Sequence, residues 1–209
     1  MINTEMINDG IMTNNWNIGD AVTYGTNVLC GDKIRFRALA ESDLPLLEKW
    51  WGLPEWSVLQ QTTIRPCPAG STAEMFKQWS INSTPGSIGL SIETRESGSF
   101  IGHVTLYGAS MPERAATLAI ILAPEETGKG YGTDAVKTAI DYGFLQMGLN
   151  RIELRVWAFN QRAHKAYSNA GFTEEGRLRE VLYFNGTHHD AIVMSILRSE
   201  WKSPLGLPN

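Results

Sequence analysis

The sequence predicts an α/β (α+β) domain with one central sheet of mixed pairing. Helices are interleaved between its strands in the order β-α-α-β-β-β-α-β-α-β-β. Three observations carry this. Short runs with period-two alternation or continuous apolar character alternate with segments of helical period. Asn185-Gly186 stands between two long alternating runs, the signature of a two-residue hairpin. The 209 residues suffice for one domain that buries about 70% of the surface its unfolded chain exposes, with no need of a metal or disulfide staple.

Residues 1–27 read as an N-terminal arm with weak structure of its own. They are rich in Asn, hold no Lys or Arg, and carry isolated apolar pairs such as Met1-Ile2, Met6-Ile7 and Ile11-Met12. Those pairs could dock on the domain or on a second subunit. The domain proper is expected over 28–202, with a tail at 203–209. Lys33-Ile-Arg-Phe-Arg-Ala38 alternates and reads as the first strand. Ser42 and Asp43 can cap the helix that follows, whose apolar stripe is Leu44, Leu47, Trp50 and Trp51. The stretch 52–70 contains Pro54, Pro66, Pro68 and Gly70 and reads as loop.

Ser71 with Glu74 three residues on forms the pattern of a capping box, opening a short helix through Trp79. Strands follow at about 86–93 and 99–107, joined by a Ser-Gly turn, and Ala115–Leu122 is a third, strongly apolar strand. Gly130–Met147 is helical, with Val136, Ile140, Phe144 and Met147 on one face. Arg151–Trp157 is a strand with Ile152, Leu154 and Val156 on one side. Asn160–Ala170 is a short helix ended by Gly171, and two long strands then flank the Asn-Gly turn.

Composition narrows the function. Apolar residues make up 43% and charged residues 19%, an ordinary globular balance. Lys plus Arg is 18 and Asp plus Glu is 22, a net charge of −4. That argues against nucleic acid as a partner and mildly favours cationic ones. The longest apolar run, Leu118–Ala123, is far short of the ~20 residues a bilayer span needs, so no membrane partner is expected. No basic residue precedes Lys33, which argues against a secretory signal. Cys30 and Cys67 match neither zinc nor redox spacing and read as reduced thiols of a cytoplasmic protein. His188 and His189 alternate faces on a strand, so no metal site is expected there.

The most informative segment is Ala123-Pro-Glu-Glu-Thr-Gly-Lys-Gly-Tyr-Gly-Thr-Asp134. A strand ends, Gly128, Gly130 and Gly132 follow, and a helix begins. Glycines let backbone N–H groups approach a ligand, and a helix start adds free N–H groups and a positive dipole end. Together they suit a pyrophosphate. The spacing is neither the Gly-x-Gly-x-x-Gly of a dinucleotide fold nor a Walker loop.

A second motif, Asn160-Gln-Arg-Ala-His-Lys-Ala-Tyr167-Ser-Asn-Ala-Gly171-Phe172, closely resembles the coenzyme A half-site of the GNAT N-acetyltransferases. The glycine loop resembles that family's pyrophosphate motif, with Gly130 and Gly132 matching and Thr127 standing where Gln or Arg is usual. The resemblance covers roughly 28–200. The stretch from Glu175 to Glu180, with Asn185-Gly186, Asp190 and Met194, looks like the branch holding ribosomal-protein N-terminal and spermidine acetyltransferases.

The resemblance implies direct acetyl transfer from acetyl-CoA to an amine. The acceptor would be a protein N-terminus, a polyamine or another small amine. Amides of Gly128, Lys129, Gly130, Tyr131, Gly132 and Thr133 would hold the pyrophosphate. Backbone groups near Ile121, Leu122 and Ala123 would pair with the pantetheine arm like an added strand. The strand Arg151–Trp157 would diverge there to leave a slot for the thioester. Asn160 and Ala163 would contact the cofactor, and Tyr167 would protonate the leaving thiolate.

The amine must also lose a proton, since a free alkylamine titrates near 10.4. Many relatives place a Glu on the strand before the glycine loop, whereas here Thr117 stands at that place. His103 is the substitute by chemistry, against the reading of a satisfied core histidine, and Asp190 is the next candidate. Trp50, Trp51, Trp56 and Trp79 could offer aromatic faces to a cation, with Glu41, Asp43, Glu48 and Glu55 nearby. The alternative is a catalytically weak CoA-binding sensor or interaction module, motivated by Thr117 and Thr127. A homodimer through the arm and hairpin edges is a further expectation.

Overall fold

The computed structural model describes residues 17–61 and 64–202. Residues 1–16 of the predicted arm, and the predicted tail 203–209, lie outside them. Seven strands form one sheet: β1 (Ile34–Arg37), β2 (Ile88–Thr94), β3 (Phe100–Tyr107), β4 (Ala115–Leu122), β5 (Arg151–Trp157), β6 (Thr173–Phe184) and β7 (Thr187–Leu197). Their spatial order is β1-β2-β3-β4-β5-β7-β6. All neighbours are antiparallel except β4 and β5, so the expected mixed pairing comes down to one parallel junction.

Six α-helices are described: α1 (Ile18–Asn27), α2 (Leu44–Gly52), α3 (Pro54–Ser57), α4 (Ser71–Trp79), α5 (Tyr131–Leu145) and α6 (Gln161–Asn169). One core lies between the sheet and α5, where Val136, Ile140 and Phe144 meet Ile152, Leu154 and Leu106. Fully burying a side chain such as Ile152 contributes about 1.5–3 kcal/mol. A second, smaller core lies between α2, α4 and the sheet, built from Leu44, Leu47, Trp50, Phe76, Ile121 and Ala123. Strand β4 serves both cores because successive side chains point to opposite faces.

Several local expectations change. The last part of the predicted arm is helix α1, closed by a capping box. The amide of Asp20 donates to Asn17 Oδ1 (3.1 Å) and the amide of Asn17 donates to Asp20 Oδ2 (3.0 Å). The Gln146 side chain reaches Tyr24 of this helix. The expected Ser71/Glu74 box does not form. Ser71 lies inside α4 and donates to the Pro68 carbonyl (2.7 Å), while Glu48 of α2 accepts from the amides of Gly70 (2.9 Å) and Ala73 (3.4 Å). Asp43 likewise makes no side-chain cap for α2. It is buried and accepts from Arg37 Nη1 (2.7 Å), Ser91 Oγ (2.8 Å) and the amide of Ala40 (3.0 Å). Leu53-Pro54 opens the short α3 inside the predicted loop.

The hairpin forms as expected. Asn185 (φ 50°) and Gly186 (φ 73°) both have positive φ, as a type I′ turn requires.

Candidate active site

The site forms where β4 and β5 part. These strands pair only through Ala115–Arg151, Ala116–Ile152 and Thr117–Glu153, and beyond that pair they diverge. A notch therefore opens in the middle of the sheet. Two cavities meet there, of about 420 and 500 Å³. Both are lined by Leu59, Gln60, Ile120 and Tyr167.

The larger cavity is bordered by the glycine loop, with Gly128, Gly130, Gly132 and Thr133 among its lining. Gly130 takes φ 89° as the N-cap of α5, a conformation that L side chains rarely adopt. The loop is braced from behind. Asp134 of α5 accepts from the amides of Asp32 (3.0 Å), Lys33 (2.8 Å) and Ile34 (3.0 Å). Lys33 returns the contact, its Nζ donating to the Lys129 carbonyl (3.0 Å). This pins the loop to the start of β1, beside the first amides of α5, which have no partner within the helix. Lys129 is paired with Glu126 (2.9 Å), and Tyr131 packs against the large core, so neither side chain lines the cavity.

Helix α6 forms another wall. The Asn160 side chain caps it, accepting from the amide of Ala163 (3.2 Å), and both residues line the cavity. The same helix carries Arg162, which sequence reasoning passed over. Its guanidinium donates to Thr127 Oγ1 (3.2 Å) and stacks on Trp56, 4.9 Å from the ring centroid. A cation thus stands beside the residue that replaces the usual Gln or Arg.

Backbone parity along β4 redistributes the expected pantetheine contacts. The amide of Ala123 donates to the Ile101 carbonyl (2.8 Å), and Ile121 pairs with His103. In an antiparallel ladder alternate residues point their backbone groups the same way. Ile121 and Ala123 therefore turn toward β3, and Ile120 and Leu122 turn toward the notch. The Leu122 carbonyl already accepts from Trp56 Nε1 (3.1 Å). A strand-like ligand would find the Ile120 amide and carbonyl and the Leu122 amide.

The smaller cavity has aromatic walls. Trp51, Phe76 and Trp79 lie at 5.2–5.7 Å between ring centroids in edge-to-face pairs. His103 completes this wall, its ring 5.2 Å from Phe76 and its Nε2 2.8 Å from Ser80 Oγ. Burial pushes its pKa down to about 4, so the imidazole is neutral at physiological pH. Asp190 lines neither cavity. On the β6–β7 hairpin it accepts from the Glu180 amide (3.0 Å) and Arg177 (3.2 Å), which hold its carboxyl below the usual range.

The carboxylates near the first helices are occupied elsewhere. Glu41 pairs with Lys77 (2.9 Å), Asp43 with Arg37, and Glu48 caps α4. None of them, nor Glu55, lines either cavity. Trp50 is buried and stacks on Phe100 at 5.5 Å, so it belongs to the core.

Tyr167 stands at the junction of the two cavities. Its hydroxyl makes no hydrogen bond to the described residues, and burial pushes its pKa up to about 12. The phenol is therefore protonated across the neutral range and free to donate.

A notch between parallel strands, a glycine loop at a helix start and a tyrosine at the junction are the features the sequence motifs pointed to. A family model described as the acetyltransferase (GNAT) domain matches residues 33–173, more than half of the chain. The chain belongs to the GNAT acetyltransferase family.

This GNAT domain is similar to a spermidine N(1)-acetyltransferase of Vibrio cholerae, with 39% identity over 101 residues, covering 48% of this chain and 58% of that relative. It is also similar to a Bacillus subtilis protein whose provisional name is ribosomal N-acetyltransferase YdaF. Identity there is 35% over 105 residues, covering 50% of this chain and 57% of the relative. The chain thus spans somewhat over half the length of these curated relatives. A crystal structure of spermidine N-acetyltransferase from Vibrio cholerae with CoA and spermine superposes with a TM-score of 0.71 at 29% identity. That match covers 80% of this chain and 96% of the other.

Proposed function

We propose that this protein is an acetyl-CoA-dependent N-acetyltransferase acting on an amine of the polyamine class. The observation that carries the reading is the pair of cavities meeting at Tyr167, where β4 and β5 part. The cavity with the glycine loop takes the cofactor. Amides of the loop from Gly128 to Thr133 bind the pyrophosphate, with Asp134 and Lys33 keeping them in place. Arg162 adds the positive charge that Thr127 does not. Ile120 and the Leu122 amide pair with the pantetheine arm, and the wall of Asn160 and Ala163 borders it.

The thioester then lies in the notch with its sulfur toward Tyr167. The acceptor enters from the aromatic cavity, where Trp51, Phe76 and Trp79 offer aromatic surface whose ring faces attract a cationic chain. His103 contributes a neutral wall there. The amine nitrogen attacks the acetyl carbonyl carbon, the carbon–sulfur bond breaks, and the Tyr167 hydroxyl gives its proton to the departing sulfur. The polyamine class is supported by the relatives named spermidine N(1)-acetyltransferase and by the neighbouring structure with CoA and spermine. A protein N-terminus is the second acceptor class, favoured by the likeness to YdaF.

The test is a steady-state assay with acetyl-CoA and a panel of spermidine, spermine, monoamines and short peptides, in the parent and in Tyr167→Phe. The expected result is turnover with polyamines in the parent. The variant should turn over roughly a hundredfold more slowly or worse, the usual range for loss of a general acid. Absence of turnover with every amine, together with CoA binding, would instead support the sensor reading.

A further inference from the structure

We propose that Glu153 is the general base of the transfer, taking the role of the carboxylate that Thr117 replaces. This rests on the N-acetyltransferase reading above and adds a residue to it. Thr117 and Glu153 are cross-strand partners, and theirs is the last pair before β4 and β5 separate. Register partners on adjacent strands point to the same face of the sheet. Both residues accordingly line the aromatic cavity. A carboxylate absent from one strand is thus supplied by the next, at the apex of the notch that holds the thioester.

Elimination points the same way. Among the described residues lining that cavity, the titratable or charged groups are His103, Tyr107, Glu153, Arg155 and Tyr167. Glu153 is the one carboxylate among them. His103 is buried against Phe76 and Ser80 with its basicity suppressed. Tyr107 and Tyr167 are phenols, and Arg155 is a permanent cation.

The Glu153 side chain is also held ready. Arg151 on the same strand donates to its Oε2 from Nε (3.2 Å) and Nη2 (3.0 Å). Arg151 is itself fixed by Glu175 of β6 and by Ser195 Oγ of β7 (2.9 Å). Oε1 of Glu153 makes no hydrogen bond to the described residues and is free to meet an amine or an intervening water. Arg151 is therefore a positioning residue, and Glu153 is the group that touches the acceptor.

The proton balance closes. A carboxylate lies about six units below an alkylamine in proton affinity, so it does not strip a free ammonium outright. The ammonium first gives one proton to solvent, and the neutral fraction attacks; Glu153 takes the second proton as the nitrogen–carbon bond forms and the nitrogen becomes acidic. The acetyl carbon then loses the sulfur, which takes the Tyr167 proton. Solvent reprotonates Tyr167 and removes the proton from Glu153, leaving an acetamide and free CoA.

The experiment compares Glu153→Gln, Glu153→Asp and Glu153→Ala with the parent enzyme on spermidine from pH 6 to 9.5, alongside melting temperatures and acetyl-CoA binding. In Glu153→Gln the specificity constant for the amine should fall roughly a hundredfold or more, with acetyl-CoA binding unchanged. Part of that loss should return in Glu153→Asp, and formate should raise the rate of Glu153→Ala. A residue that only braces the sheet through Arg151 would lower the melting temperature without formate rescue and without altering the pH profile. An active parent with Glu153→Gln within a factor of about three of it overturns the assignment while leaving the acetyltransferase reading intact. An inactive parent overturns both.

Discussion

Acidification from pH 7 to 4 should act on two buried groups with opposite sign. His103 titrates at 6.5 in an unfolded chain and at about 4 in the folded one, because burial penalises its charged form. Between those values the unfolded state binds the extra proton, so stability falls as the pH drops through that window. At 1.36 kcal/mol per unit, the difference corresponds to about 3 kcal/mol. Asp141 behaves in reverse. Burial raises its pKa from 3.8 to about 6, against the lowering effect of the Trp201 indole, which donates to Oδ1 at 2.6 Å. The folded state takes that proton first, so stability rises as the pH falls from about 6 toward 3.8. Its shift corresponds to about 3 kcal/mol, and water at its partly exposed side trims this to about 2 kcal/mol.

The two nearly cancel, and the parent should lose only about 1 kcal/mol from this pair. Asp141→Asn removes the compensation and should lose about 2 kcal/mol more than the parent between pH 6.5 and 4. His103→Gln, which keeps a partner for Ser80, should gain about 3 kcal/mol relative to the parent over the same interval. Urea unfolding at fixed pH steps measures each difference, and comparison with the parent cancels the acidic groups common to all three. If His103→Gln tracks the parent, the imidazole is not held neutral by burial, and its exclusion as a base fails with it.

Two further outcomes test the cofactor side. Gly130→Ala places a side chain at φ 89° with its Cβ 3.1 Å from Lys33 Nζ, costing about 1–2 kcal/mol. The KM for acetyl-CoA should rise about tenfold, measured against a melting temperature that falls by a few degrees. Arg162→Met keeps the side chain's length but removes its charge. It should weaken CoA binding by about tenfold or more at low salt, with turnover largely retained, as read by calorimetric titration and steady-state kinetics.

Much of the framework was legible because it is local. Strand β4 falls on its apolar run and β5 on the residues its side-chain alternation marks, and the Asn185-Gly186 turn takes the backbone its residue types demand. The glycine loop and the Asn160–Tyr167 helix likewise stand where their spacing places them, lining one cavity. The misses have a common cause. Ser71 and Glu74 fit a capping box, and Glu41, Asp43 and Glu48 could have served a cation, but each short polar side chain has several partners within reach. Only the packed elements choose among them.

By itself, then, the sequence determined the types of the elements, the motif pair and the family they mark. These depend on near neighbours along the chain and on residue chemistry. The tertiary structure decided which strands pair and where their pairing stops. It therefore decided that Ile120 and Leu122 face the notch, that Arg162 stands beside Thr127, and that Glu153 shares a cavity with Thr117. Strand parity and register are properties of two strands together, and a one-residue change in either reverses which groups point at the ligand.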